Sequence, residues 1–238
     1  MQKTAARLEN RYVESAVYMD TLVTIDVPDP RSRDECAAQV DRAFGWFAHV
    51  EKLCSRFDEN SELSRLSASP PGTPVSVSRM LFELVDFACA VAAVSRGAFD
   101  PTIGRTMQKH GFNRNYRTGA ECSSDIEDAV CSYQDVLLDS DNCTIALMRP
   151  MVLDLGAVAK GLAIDLAGHE LNSYEHFLVN AGGDILARGY HSPGTPWGIG
   201  IRHPRQPEEL IDALVVTGAA VCTSGDYERS GEAGHHIL

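Results

Sequence analysis

The chain has 238 residues, 44% hydrophobic and 23% charged, a balance that excludes disorder as its overall state and allows one substantial core or two modest ones around a cleft. Its 33 acidic and 21 basic side chains leave a formal net charge of -12, which works against a broad nucleic-acid surface but not against a small anion held by local N–H groups, a cation or a metal. Seven cysteines, an odd number without a CxxC pair, point to buried or incidental thiols rather than a paired secreted framework or a zinc site.

The first twelve residues mix charges with short side chains and lack the apolar core of a signal peptide, and no run of about 18 mostly apolar residues occurs anywhere. The expectation is a cytoplasmic protein with no transmembrane segment. Residues 12–27 read as extended structure, with Met19-Asp20-Thr21 interrupting the apolar run. From 34 to about 57 the spacing turns helical, placing Val40, Phe44, Phe47, Val50, Leu53 and Cys54 near one stripe. A polar turn at 58–62 leads to a short helical turn at Ser61-Glu62-Leu63-Ser64, then a loop containing SPPGTP. A second helix is predicted over 76–95, with Gly97 as its terminator.

Residues 106–128 are less periodic and read as an excursion on the surface or over a cleft. A hairpin is expected over 133–147, burying Val136, Leu138, Ile145 and Leu147. Residues 151–153 then suit a strand and 158–171 a helix, joined through Asp154-Leu155-Gly156-Ala157. Strands at 177–179 and 185–187 surround Asn180-Ala181-Gly182-Gly183-Asp184, and further strands are expected at 197–201 and 211–216, with 220–223 entering the turn SGDYE. Few strands are spaced by regular helices, so the fold class read from the chain is mixed α+β rather than a regular βαβ series.

The run VLDLGAVAKGLAID at 152–165 takes a short apolar segment through Gly156 into a helix whose free N–H groups favour anions. Lys160, one of only four lysines, would lie in the first turn of a helix beginning near Ala157, facing a phosphate or paired with an acid. Asp154 counts against a bare phosphate loop, because its charge at the same end repels a phosphate unless a metal or a hydrogen-bond donor intervenes. The run matches neither GxGxxG nor GxxxxGK[ST].

Four further blocks carry a bland and a functional reading each. Phe99-Asp100-Pro101-Thr102-Ile103-Gly104 is a capped turn or a ligand loop. Asn180-Ala181-Gly182-Gly183-Asp184 is a hairpin turn whose glycines relieve positive-φ strain, or a backbone wall against a flat ligand. Thr223-Ser224-Gly225-Asp226-Tyr227 is a capped turn or a polar rim. His235-His236 is a poor two-ligand metal pair, but one imidazole can serve as a base.

Taken in order, these blocks resemble the ApbE family, the FAD:protein FMN transferases. The matching stretches are Met19-Asp20-Thr21, CSRFDENSELSRL at 54–66, AFDPTIG at 98–104, LDLGAVAKGLAID at 153–165, LVNAGGDILARG at 178–189, PWGIGIRHP at 196–204, and TSGDYER at 223–229 leading to HHIL at 235–238. The resemblance implies one ApbE-like domain over 1–238, folded around a flavin-nucleotide cleft. It implies a magnesium-dependent enzyme that moves FMN from FAD onto a Thr or Ser of a target flavoprotein and releases AMP. FAD contacts would come from Met19, Phe57, Ala98, Phe99, Asp100, Asp154 and Lys160, and a backbone carbonyl for Mg2+ from Ala157. The family often has Tyr where Phe57 stands, so stacking survives and a hydroxyl contact does not. His236, just before Ile237-Leu238, is the candidate base for the incoming hydroxyl proton.

The family pattern continues beyond His-His-Ile-Leu with an Asp-Pro-x-Thr-Gly block whose Asp and Thr help bind magnesium. The sequence stops at Leu238, so the expectation is a domain incomplete at this end, since Ala157 alone cannot supply the oxygen shell that octahedral Mg2+ demands. Two alternatives to transfer follow: hydrolysis of FAD to FMN and AMP, and a catalytically idle FAD-binding protein.

Overall fold

The computed structural model describes residues 11–122, 130–225, 230–231 and 234–235. In chain order the elements are β1 (Tyr12–Tyr18), β2 (Thr21–Val27), α1 (Arg33–Cys54), α2 (Glu62–Ser67), β3 (Val75–Ser76), α3 (Arg79–Val94) and α4 (Gly104–Lys109). There follow β4 (Val136–Asp139), β5 (Thr144–Leu147), α5 (Gly156–Glu170), β6 (Phe177–Ala181), β7 (Asp184–Arg188), β8 (Tyr190–Ser192), β9 (Thr195–His203), β10 (Gln206–Val216), β11 (Gly218–Val221), β12 (Ser230–Gly231) and β13 (Gly234–His235). The class is α+β, as the sequence indicates. The chain divides into two compact units, one made of residues 1–48 with 163–227, the other of 49–162 with 228–238.

The first unit holds an antiparallel sheet in the order β1-β2-β6-β7-β11 and a smaller one in the order β10-β9-β8. Alternation along β2 puts Val23, Ile25 and Val27 in the core, and the period of α1 buries Val40, Phe44 and Phe47 of the predicted stripe together with Cys36, which that stripe does not include. Each such large side chain contributes about 1.5–3 kcal/mol by leaving water. The Tyr18 ring stacks on Phe44 and Phe47 at centroid distances of 5.8 and 6.3 Å. Within this unit the last turns of α5 lie against β7 so closely that a Cβ at Gly168 would meet Leu186 Cδ2 at 2.5 Å.

The second unit carries α2, α3, α4 and the antiparallel sheet β3-β5-β4. Ser61 caps α2, its hydroxyl accepting from Ser64 N at 2.9 Å, and Ser78 caps α3 by accepting from Leu81 N at 3.3 Å. Val136, Ile145 and Leu147 of the predicted hairpin are buried, whereas Leu138 is half-buried.

Several boundaries differ from expectation. Residues 151–153 form no strand: Val152 makes a single parallel bridge with Ile103, because only Gly104 N to Val152 O and Asp154 N to Pro101 O join the two segments. The stretch read as aperiodic from residue 106 contains most of α4, too short for a hydrophobic period to register. Helix α1 ends at Cys54 rather than near 57, and α5 begins at Gly156, which makes Lys160 its fifth residue rather than part of the first turn.

Candidate active-site clusters

Three of the sequence blocks converge in the first unit. The β1–β2 hairpin pairs Tyr18 with Thr21 across a two-residue loop in which Met19 has φ 52° and Asp20 φ 61°. Positive φ at both loop positions is the signature of a type I′ turn, normally filled by Asn, Asp and Gly, so Met19 is the residue that it strains. The β6–β7 hairpin does the same with Gly182 and Gly183, at φ 63° and 97°. Gly182 N donates to Leu22 O at 3.1 Å, and Gly183 N donates to the Asn180 side chain at 2.9 Å. A Cβ on Gly182 would fall 2.0 Å from Thr21 Oγ1, and one on Gly183 would lie 3.4 Å from Thr223 Oγ1. The Met19-Asp20-Thr21, Asn180–Asp184 and Thr223 segments therefore meet at one end of the sheet, and Met19 is half-buried there.

The other predicted residues gather in the second unit. The 98–104 and 153–160 blocks lie side by side through the backbone bonds already described, and a Cβ on Gly104 would sit 2.5 Å from Val152 O. Asp100 is held in its own turn: Oδ1 accepts from Thr102 N at 2.9 Å and Thr102 Oγ1 at 2.8 Å, and Oδ2 accepts from Tyr133 N at 3.0 Å. A carboxylate has about four acceptor sites, so little of its capacity remains. The capped-turn reading of this block holds, with the carboxylate also tying in residue 133. Ala98 is exposed and Phe99 half-buried.

Asp154 stands before the first turn of α5. Its Oδ1 accepts from Gly156 N at 2.8 Å, in the manner of a cap, and its Oδ2 lies 2.9 Å from Nε of Arg56. Gly156 and Ala157 are exposed, leaving the start of α5 accessible, and Lys160 is half-buried one turn on. The Arg56 guanidinium also covers the Phe57 ring, 4.2 Å from its centroid, while the Phe57 carbonyl accepts from Asn115 Nδ2 at 3.5 Å and from the Cys122 thiol at 3.6 Å. Arg56 is the participant that sequence reasoning missed. The available signal was an arginine adjoining the aromatic residue inside a matched block.

His236 lies outside the described residues. Among those described, no group of three or more His, Cys, Asp or Glu is placed to hold a metal ion. Asp154 is already engaged on both oxygens, and the carbonyl of Ala157 alone does not make a magnesium shell. The described residues do not, by themselves, fit the ion. A cleft of about 450 Å³ in the first unit, lined by Asp165, Gly168, His169, Phe177, Leu186 and Arg188 among others, contains none of the predicted site residues. No helix of the described residues is long and apolar enough to cross a membrane.

A family model described as the ApbE family matches residues 19–238. The chain belongs to the ApbE family. It is 33% identical over 242 residues to the FAD:protein FMN transferase of Klebsiella pneumoniae (strain 342), covering 97% of this chain and 72% of the relative. To the FAD:protein FMN transferase of Treponema pallidum (strain Nichols) it is 31% identical over 256 residues, covering 95% and 69% respectively. The match to the Vibrio cholerae enzyme of the same name, at 27% identity, spans 79% of this chain and 59% of the relative. Among solved ApbE structures, that of the Thermotoga maritima ApbE protein superposes with a TM-score of 0.81 at 30% identity, over 96% of this chain and 76% of the other. The flavin transferase ApbE of Vibrio cholerae gives 0.78 at 24% identity and supports the fold alone.

Proposed function

We propose that this ApbE-family chain serves FAD:protein FMN transfer, with a Thr or Ser of a target flavoprotein as acceptor. The observation that carries the reading is the meeting of the 98–104 and 153–160 blocks beside Arg56 and Phe57, at the accessible start of α5. The positive end of the helix, at its exposed first residues Gly156 and Ala157, suits the pyrophosphate that such a reaction must bind and cleave. Its relatives' names supply the reaction class.

In the proposed reaction the acceptor hydroxyl oxygen attacks the FMN-side phosphorus of FAD. A P–O bond to the acceptor forms, the bond to the bridging oxygen breaks, and AMP departs with that oxygen. The hydroxyl proton passes to a base, the role proposed for His236. The nucleophile belongs to the partner protein, so no internal triad is required. The start of α5 and Lys160 are assigned to the pyrophosphate, and Phe57 to stacking on a flat ring of FAD. Asp154 is assigned to holding the helix start. Met19, Ala98, Phe99 and Asp100 enter as FAD contacts through the resemblance. Magnesium enters through the resemblance alone, with the Ala157 carbonyl as the one assigned ligand.

The test is incubation with FAD, Mg2+ and an acceptor protein that exposes Thr and Ser, followed by denaturation. Flavin that stays with the acceptor, together with equivalent AMP, is the expected result. Soluble FMN and AMP alone would replace transfer by hydrolysis. Saturable FAD binding with no AMP would overturn the enzyme reading in favour of an idle binding protein.

A further inference from the structure

Arg56 is an expensive residue to bury. Its side chain is only 9% exposed, and removing a guanidinium from water carries a heavy solvation penalty unless well-placed partners compensate. Compensation here is incomplete. Nε faces Asp154 Oδ2 at 2.9 Å and Nη2 donates to the Phe112 carbonyl at 2.5 Å, but Nη1 is buried with no hydrogen-bond partner among the described residues. An apolar side chain would fill the same space without that cost, so packing alone is a poor account of Arg56.

Two features tie it to the site. The carboxylate of Asp154 stands at the entrance to α5, where a negative charge opposes the approach of a phosphate; Arg56 is the cation placed against it. The same planar guanidinium lies over Phe57, covering one face of the ring and fixing its plane.

We infer that Arg56 is a positioning residue for the proposed FAD site. It offsets the charge of Asp154, so that this residue can organise the helix start without repelling the pyrophosphate, and it backs Phe57 as a platform. The inference rests on the FAD reading of this cluster and deepens it. It gives a charge-specific role to a side chain to which the proposed function assigns no ligand contact.

The experiment compares FAD binding, followed by flavin fluorescence, in the wild type, Arg56→Lys, Arg56→Gln, Asp154→Asn and the double variant Arg56→Gln/Asp154→Asn, with thermal melts recorded for all five. Arg56→Lys keeps the charge and is expected to bind FAD within about threefold of wild type, whereas Arg56→Gln, which leaves Asp154 uncompensated, loses about tenfold or more. In the double variant the carboxylate that Arg56 offsets is already gone, so it is expected to bind FAD within about threefold of Asp154→Asn alone. This non-additivity, with the rescue by Arg56→Lys, depends on charge, which a merely structural role would not reproduce. If Arg56→Gln does not melt cooperatively, the double variant decides by the same criterion. Wild-type Kd in Arg56→Gln, or a double variant about tenfold or more weaker than Asp154→Asn, would overturn the inference while leaving the FAD reading intact. Absence of saturable FAD binding by the wild type would overturn the FAD reading and the inference with it.

Discussion

Replacing Gly182 by Ala tests how tightly the two hairpin turns of the first unit are fitted together. The substitution carries two separate penalties. At φ 63° an L-residue meets the left-handed backbone cost, about 1–2 kcal/mol. The new methyl would lie 2.0 Å from Thr21 Oγ1 and 3.1 Å from Thr21 Cβ, an overlap that one turn or the other must relieve. Such overpacking costs about 1–3 kcal/mol more, so a total loss of about 2–5 kcal/mol is expected. Urea denaturation followed by circular dichroism measures it. In the double variant with Thr21→Ala, Oγ1 is gone and only the 3.1 Å contact and the φ cost remain, so part of the stability should return. A Gly182→Ala protein within about 0.5 kcal/mol of wild type would refute the close approach of the turns.

The strained Met19 gives a prediction of opposite sign. Met19→Gly relieves a non-glycine φ of 52° and is expected to raise stability by up to about 1 kcal/mol in the same urea experiment while weakening FAD binding, because the side chain is a proposed contact. Lower stability with unchanged FAD affinity would contradict both halves. The thiols are separable by reagent. Burial, reinforced by the Glu62 carboxylate, pushes the Cys54 thiol up to about 12, so at pH 10 it stays protonated in the folded protein. Cys222 is exposed, and Ellman's reagent with mass spectrometry should label it before Cys54, which should react only after unfolding. Equal labelling of the two under native conditions would refute the burial of Cys54.

The readable parts of the fold are those in which periodicity and chemistry agree. The stripe Val40, Phe44, Phe47 gave α1, and the paired glycines gave the β6–β7 turn, because in each case a local pattern coincides with the buried environment. Met19-Asp20 read as an interruption rather than a type I′ turn because Met19 lacks the usual turn chemistry; the neighbouring strands impose the conformation. Residues 151–153 look like a strand because they are apolar, yet they are buried beside a loop with which they share a single bridge. The cluster itself was legible as separate blocks. Arg56 was not, since nothing in local spacing reveals that a residue 98 positions away supplies its carboxylate partner, as the Arg56–Asp154 contact does.

The central claim is that the start of α5, with Asp154 and Lys160, belongs to an FAD site, and a fluorescence titration of FAD against wild type, Asp154→Ala and Lys160→Ala tests it most directly. Saturable binding by the wild type, weakened about tenfold or more in each cooperatively melting variant, is the predicted result, in line with the loss of a charge-assisted contact or of the cap that organises the helix start. Dissociation constants unchanged from wild type in both variants would contradict it.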